Sequence, residues 1–132
     1  MLAASSFTFA KAPAMRVLVA DDSCTMRKII IRSLAAIGTQ GATEAADGNE
    51  ALAIFKPGLF DLVLTDWNMP GKNGLEVVQA IRAQDAQVPI IMVTTEAERS
   101  RVVQAIAAGV SDYLLKPFSV DMLREKLARH GG

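Results

Sequence analysis

The sequence predicts an α/β fold, a doubly wound parallel sheet of five strands with helices on both faces. Three observations predict it. Short apolar runs alternate along the chain with segments whose apolar residues recur at helical spacing. Turns rich in Gly and Pro separate these segments, and the 132 residues suit one domain of ordinary size. Strands that alternate with helices imply βαβ units, whose crossovers should be right-handed.

Apart from the second, each predicted strand is a short run of apolar residues bounded by turn signals. Runs that are apolar at consecutive positions are typical of strands buried on both faces of a parallel sheet. The predicted strands cover residues 16–20, 39–45, 61–65, 88–93 and 112–115. The second of these has the weakest apolar pattern.

The helices between the strands are predicted from apolar residues spaced three or four positions apart. The residues that define the first, third, fourth and fifth helices are Met26, Ile29, Ile30, Leu34 and Ile37; Leu75, Val78 and Ile81; Val102, Val103 and Ile106; and Val120, Leu123 and Leu127. The second helix is short, at residues 49–55, between an Asp-Gly turn and a Pro-Gly pair. Gly38 and Gly109 are stop signals for the first and fourth helices.

The composition excludes several classes of protein. Lys plus Arg and Asp plus Glu both number 14, which argues against a protein held mainly by nucleic-acid phosphates or anionic lipid. No apolar run approaches the roughly 18–20 residues of a membrane span. The single cysteine, Cys24, cannot form an internal disulfide, so a reducing, cytoplasmic compartment fits best.

The chain divides into a short extension and one domain. Residues 1–14 lack the order of charged, apolar and cleavage regions that a secretory signal needs, and we expect a flexible N-terminal extension. The domain should cover residues 15–129. Because only a few residues follow Leu127, we expect no DNA-binding domain after it and a chain that acts on partners in trans. We also expect a monomer.

Polar residues stand where four of the five predicted strands end. They are Asp21 and Asp22, Asp66, Thr94, and Lys116. In an open parallel sheet, ligands bind beyond the carboxyl ends of the strands, so these side chains should face one crevice. Each has a simpler alternative: Asp22 could cap a helix, Asp66 could start a turn, Thr94 could bond to backbone, and Lys116 could be solvated. Their joint placement at matching strand ends favours a shared site over independent surface choices.

The residue types restrict the chemistry of such a site. Carboxylates that lie close together repel one another, and a divalent cation relieves that repulsion. Hard oxygen ligands, without paired His or Cys, favour magnesium over zinc. Magnesium usually binds one or two carboxylates together with phosphate oxygens, so a phosphoryl group is the expected second ligand. A carboxylate can itself act as nucleophile and form an aspartyl phosphate.

Four motifs, in order along the chain, resemble one known family. They are Val19-Ala20-Asp21-Asp22-Ser23; Thr65-Asp66-Trp67-Asn68-Met69-Pro70, with Gly74 beyond; Val93-Thr94-Thr95-Glu96-Ala97; and Tyr113-Leu114-Leu115-Lys116-Pro117-Phe118. The chain resembles bacterial response-regulator receiver domains, most of all the stand-alone chemotaxis (CheY) type, over about residues 15–127. The resemblance implies a flavodoxin-like sheet with strand order 2-1-3-4-5.

The resemblance also implies roles for the residues at the strand ends. Asp66 would accept phosphate from a histidine kinase of the CheA type. Mg²⁺ would be bound by Asp21, Asp66 and the backbone carbonyl of Asn68, with Asp22 contributing mainly through water. Lys116 would contact the phosphoryl group and, before it arrives, Asp66.

Other residues would switch or tune the site. Thr94 would move to bond a phosphoryl oxygen and Tyr113 would follow it inward, while the Lys116–Pro117 peptide is expected to be cis. Asn68 and Glu96 lie two positions past Asp66 and Thr94, where the family sets access of the hydrolytic water. The larger Thr95, in place of alanine, would narrow the path of phosphate donors or of a phosphatase.

Two further positions bear on detection and on output. Trp67 should report magnesium or phosphate by fluorescence, and its alternative is a partly exposed aromatic without a role. Glu98 stands where the enteric type has a lysine, which weakens the expectation of binding to the flagellar motor.

The function implied is a phosphorylation switch rather than a metabolic enzyme, although such chains catalyse their own phosphorylation and dephosphorylation. Its target, a flagellar motor switch protein, would bind through helix 4, strand 5 and helix 5. A phosphate sink and a non-flagellar adaptor of the same type remain alternatives. An aspartate-nucleophile phosphatase needs an Asp-x-Asp motif that Asp21-Asp22-Ser23 lacks, and the acidic first loop disfavours a flavin binder.

Overall fold

The computed structural model describes residues 15–131, so the predicted extension at residues 1–14 lies outside the described residues. Within residues 15–131 the strands are β1 (Val17–Ala20), β2 (Thr43–Ala45), β3 (Leu62–Thr65), β4 (Ile90–Thr94) and β5 (Asp112–Leu115). All pair in parallel in one sheet of order β2-β1-β3-β4-β5, which confirms the predicted fold and strand order. The weak second strand is shorter than the predicted 39–45.

The helices alternate with the strands as predicted. They are α1 (Cys24–Ala36), α2 (Gly48–Ile54), α3 (Gly74–Gln84), α4 (Arg99–Ala108) and α5 (Val120–Arg129). No helix within residues 15–131 is both long enough and apolar enough to cross a bilayer.

Both faces of the sheet are covered, and two clusters of buried side chains form the core. The first cluster includes residues of α2, α3 and α4 on one face, and the second includes residues of α1 and α5 on the other. In β1, Leu18 and Ala20 belong to the first cluster while Val17 and Val19 belong to the second. Successive side chains therefore point to opposite faces of the sheet, which explains the uninterrupted apolar runs in the sequence.

Helix α4 departs from the simple amphipathic pattern. Val102, Val103 and Ile106 correctly predicted a helix, but Val103 is 57% exposed and Ile106 is 63% exposed. The fully buried residue of α4 is the small Ala105. This helix therefore exposes two large apolar side chains to solvent. A single exposed apolar residue is common on protein surfaces, whereas neighbouring exposed apolar residues often mark a binding surface.

The topology places the strand ends that carry acids next to each other. The chain leaves β1 toward β2 on one side and returns to β3 on the other, so the strand order reverses at β1. Ala20 pairs with Thr65, and the Asp66 N–H donates to the Ala20 carbonyl at 2.9 Å. The residues that follow, Asp21 and Asp66, are thereby brought to the same edge of the sheet.

Candidate functional site

Three acids meet at the carboxyl edge of the sheet. One carboxylate oxygen from each of Asp21, Asp22 and Asp66 lies within 4.8 Å of the others. Asp21 and Asp66 are buried, whereas Asp22 is exposed at the rim. Clustered carboxylates of mixed burial are a suitable donor set for a hard divalent cation, which keeps some water ligands. The described residues therefore fit a metal ion at this edge.

Lys116 lies between the two buried acids. Its Nζ donates to Asp21 Oδ2 at 2.7 Å and to Asp66 Oδ2 at 3.1 Å, and its side chain is only 10% exposed. The alternative of a solvated lysine is therefore wrong. The cluster holds three carboxylates and this one ammonium, so it keeps an excess of negative charge that a divalent cation would balance. The peptide between Lys116 and Pro117 is cis, as the resemblance implied.

The loop after β1 fixes Asp21 and leaves Asp22 facing the cluster. Ser23 Oγ accepts from the Met26 N–H at 3.1 Å and caps α1, so the alternative that Asp22 is the helix cap is wrong. The Ser23 N–H donates to Asp21 Oδ1 at 2.9 Å. Arg27, which the sequence did not single out, donates to the Asp21 carbonyl at 2.7 Å.

The Asp66 carboxylate is held by the next backbone N–H and by Lys116. The Trp67 N–H donates to Asp66 Oδ1 at 2.6 Å, while Oδ2 receives Lys116. The Gly74 N–H donates to the Trp67 carbonyl at 2.7 Å, and this bond holds the start of α3 against the loop that follows β3. A Cβ at Gly74 would lie 2.0 Å from the Asp66 carbonyl oxygen, so only glycine fits there.

Replacing Gly74 with alanine should therefore destabilise the fold and displace Asp66. Overpacking of a tight site costs about 1–3 kcal/mol, and the obstruction here is backbone, which cannot swing away. The free energy of unfolding from a urea titration measures the loss. Gly48→Ala is the matched control, because its Cβ would also meet a backbone carbonyl oxygen, at 1.9 Å, but that of Lys72 rather than that of Asp66. Both variants should lose stability, but only Gly74→Ala should also slow phosphoryl uptake, and equal uptake in the two would contradict this account.

Thr94 and Tyr113 both contact Glu96 in this structure. Thr94 is fully buried, and its Oγ1 accepts from the Glu96 N–H at 3.3 Å, so the backbone bond considered as its alternative role is present. The Tyr113 O–H donates to the Glu96 carbonyl at 2.7 Å. Burial, followed by the nearby Glu96 carboxylate, raises the pKa of the Tyr113 phenol, so it remains a neutral donor at neutral pH.

Two of the predicted tuning residues, Asn68 and Glu96, form a hydrogen-bonded bridge between the loops after β3 and β4. These two loops are called the mouth of the site. Asn68 Nδ2 donates to Glu96 Oε2 at 2.9 Å, which joins the loop after β3 to the loop after β4. Thr95, between Thr94 and Glu96, is exposed. Arg101 approaches the bridge from α4, with Nε 3.9 Å from Glu96 Oε1. A single basic residue on a helix carries no sequence signal of this contact, so sequence reasoning missed it.

Trp67 is buried beside the site. It is only 2% exposed and belongs to the core face that also holds Val77 and Val78. The alternative of a partly exposed aromatic is therefore wrong. The Arg101 guanidinium carbon lies 5.2 Å from the Trp67 ring centroid, within the range of a cation–π contact. The chain's single tryptophan thus sits one residue from Asp66 in a rigid setting, which suits it to report on the site.

Comparison with known proteins finds a family model and relatives that match most of the chain. The family model of the response regulator receiver domain matches residues 17–128. The chemotaxis protein CheY of Pseudomonas aeruginosa is 42% identical over 117 residues, which cover 87% of this chain and 94% of that protein. A chemotaxis protein CheY homolog of Campylobacter jejuni is 46% identical over 116 residues, covering 86% of this chain and 89% of the relative.

A solved structure gives the same result for the fold. The structure of the Vibrio cholerae chemotaxis protein CheY4 superimposes with a TM-score of 0.82 and 36% sequence identity. The match covers 89% of this chain and 99% of the other. With the family model spanning nearly all of the described residues, and an acidic cluster and lysine at the expected strand ends, the chain belongs to the response regulator receiver domain family.

Proposed function

We propose that this receiver domain is a chemotaxis-type signalling switch that takes a phosphoryl group on Asp66 from a histidine kinase. The observation that carries the proposal is the contact of Lys116 with two buried acids in a three-carboxylate cluster. The names of the relatives, all chemotaxis proteins of the CheY type, support the pathway. The protein would act in the cytoplasm, where such a kinase presents its phosphohistidine.

The proposed reaction is a direct transfer to a carboxylate. An oxygen of Asp66 attacks the phosphorus of the donor, a bond forms between them, and the bond from phosphorus to the donor breaks with its electron pair on the donor. Mg²⁺ bound by Asp21, Asp66 and the Asn68 carbonyl, and by Asp22 through water, would supply charge neutralisation and orientation. Lys116 would move its ammonium from Asp21 toward the phosphoryl oxygens, and positioning rather than acid–base chemistry would dominate.

The proposed switch starts from two contacts of Glu96. If Thr94 turns its hydroxyl to a phosphoryl oxygen, it gives up the Glu96 N–H, which it now accepts at 3.3 Å. The Glu96 carbonyl also holds the Tyr113 phenol, so a shift of this loop reaches β5. Phosphorylation would in this way bias an equilibrium between two states, and a partner that binds one state better reads the signal.

The proposed output surface consists of α4, β5 and α5. Each of these elements exposes a large apolar side chain: Val103 and Ile106 on α4, Leu115 at 41% on β5, and Met122 at 45% on α5. Exposed apolar groups on neighbouring elements indicate a protein-binding surface. The flagellar motor switch is the first candidate partner, and the exposed acidic Glu98 at the start of α4 makes a non-flagellar target the second.

Phosphorylation by a small donor tests the proposal without a partner. With Mg²⁺ and acetyl phosphate, the wild-type chain should gain the mass of one phosphoryl group, and Trp67 fluorescence should change. Chelation of Mg²⁺ should abolish both changes. The proposal fails if neither signal appears with Mg²⁺ present. A chain that gains phosphate, returns it rapidly to its kinase and binds no target better in that form would instead be a phosphate sink.

A further inference from the structure

The mouth of the site holds a contact that the proposed function leaves unexplained. Arg101, in the first turn of α4, contacts both Glu96 and Trp67. Glu96 lies two residues after Thr94, and Trp67 lies one residue after Asp66. No other Lys or Arg in the described part of the chain forms an ion pair with the Glu96 carboxylate. We propose that Arg101 is a positioning residue that holds Glu96 across the mouth of the site and lengthens the lifetime of the phosphoryl group on Asp66.

The geometry gives Arg101 two points of attachment. Arg101 Nε lies 3.9 Å from Glu96 Oε1, which is long for an ion pair, so this contact alone would hold the Arg101 side chain loosely. The guanidinium also lies over the Trp67 ring, and that ring is fixed because Trp67 is 2% exposed in the core. A cation–π contact with an immobile ring therefore sets where the positive charge sits beside Glu96.

Electrostatics explain why Glu96 needs that charge. Its carboxylate accepts from Asn68 Nδ2 at 2.9 Å, two residues from Asp66, and so lies beside a site that already contains three acids and would receive a phosphoryl dianion. Like charges repel, and this repulsion favours a Glu96 side chain turned out to solvent. Arg101 offsets the repulsion from the outer side and keeps the bridge from Glu96 to Asn68 closed.

A closed bridge bears on hydrolysis, because Asp66 itself is only 8% exposed and the groups at the loop surface control access to it. In hydrolysis, a water oxygen bonds to phosphorus while the bond from phosphorus to the Asp66 oxygen breaks, and its electron pair returns to the carboxylate. Both protons of the water leave with the phosphate. The closed bridge limits the approach of that water, so loss of Arg101 should speed this step and leave phosphoryl transfer chemically intact.

The inference rests on the proposed function and is tested by following dephosphorylation of the phosphorylated chain in Mg²⁺ after the donor is removed. Arg101→Gln should release phosphate about two- to fivefold faster than wild type, the factor that corresponds to one cation–π contact. Trp67 emission of the unphosphorylated chain should change in the same variant. Arg101→Lys, which keeps the charge without the planar group, should fall between the two rates. Arg99→Gln, exposed at the first position of α4, should behave as wild type.

A second background separates positioning from a general effect. In Glu96→Ala, phosphate release should already be fast, and adding Arg101→Gln should change it no further, because residues that act through one contact are not additive. Release from Arg101→Gln at or below the wild-type rate would overturn the inference, and so would a full additional acceleration in the Glu96→Ala background. In either case the proposed function stands, whereas a wild-type chain that takes no phosphoryl group removes both.

Discussion

Asp66→Asn is expected to abolish phosphoryl uptake from acetyl phosphate, with no mass gain in intact-protein mass spectrometry under conditions that modify the wild type fully. The amide lacks the anionic oxygen that attacks phosphorus. It also removes one of the two carboxylates that bind the Lys116 ammonium and one member of the acidic cluster. The geometry otherwise permits the substitution, because the amide oxygen can still accept the Trp67 N–H.

Asp22→Asn is the matched control for that experiment. Asp22 belongs to the same cluster but is exposed, and Lys116 does not contact it. This variant should still gain one phosphoryl group, but at a higher Mg²⁺ concentration than wild type because one negative charge of the metal site is lost. A phosphoryl group on the Asp66→Asn chain would place the acceptor elsewhere.

The sequence was sufficient to predict the edge of the sheet at which the acids meet. Asp21, Asp66 and Lys116 each follow an apolar run, and parallel strands have their carboxyl ends on one edge, so strand assignment alone brings the three residues together. The prediction did not depend on the exact limits of the strands. It held even where β2 proved to be three residues long, since that strand contributes no acid to the cluster.

Other features of the site depend on packing that a sequence pattern does not encode. Helical spacing identified α4 but not the side that is covered, and the buried Ala105 leaves Val103 and Ile106 in solvent. The sequence left open whether Trp67 is partly exposed, and its burial depends on the loop after β3, where the Gly74 N–H at the start of α3 donates to the Trp67 carbonyl. Arg101 could not be found from the sequence because its two contacts come from different loops.

Removal of the Lys116 charge should reduce the free energy of unfolding more than the Gly74→Ala substitution does. Lys116→Met leaves two buried carboxylates facing each other without their ammonium, and breaking a buried ion pair in this way costs roughly 3–5 kcal/mol. Urea titration of wild type and variant in the presence of a chelator measures this loss in the free energy of unfolding. Because methionine fills a similar volume, the loss reflects charge rather than a cavity.

Magnesium should then reduce the difference between the two chains. A cation that binds the folded cluster and not the unfolded chain adds stability by mass action. In Lys116→Met it also replaces the missing positive charge, whereas in wild type it competes with the ammonium for the same oxygens. The difference in unfolding free energy between wild type and variant should therefore be smaller in saturating Mg²⁺ than in chelator.

Lys126→Met distinguishes this effect from a general response to magnesium. Lys126 pairs with Asp112 at 2.8 Å and is 20% exposed, but Asp112 begins β5 at the opposite edge of the sheet from the acidic cluster. Its loss of stability should be the same with and without Mg²⁺. If Mg²⁺ leaves the Lys116→Met deficit unchanged as well, then Lys116 does not share its carboxylates with a metal ion, and the charge balance proposed for phosphoryl transfer at Asp66 would have to be abandoned.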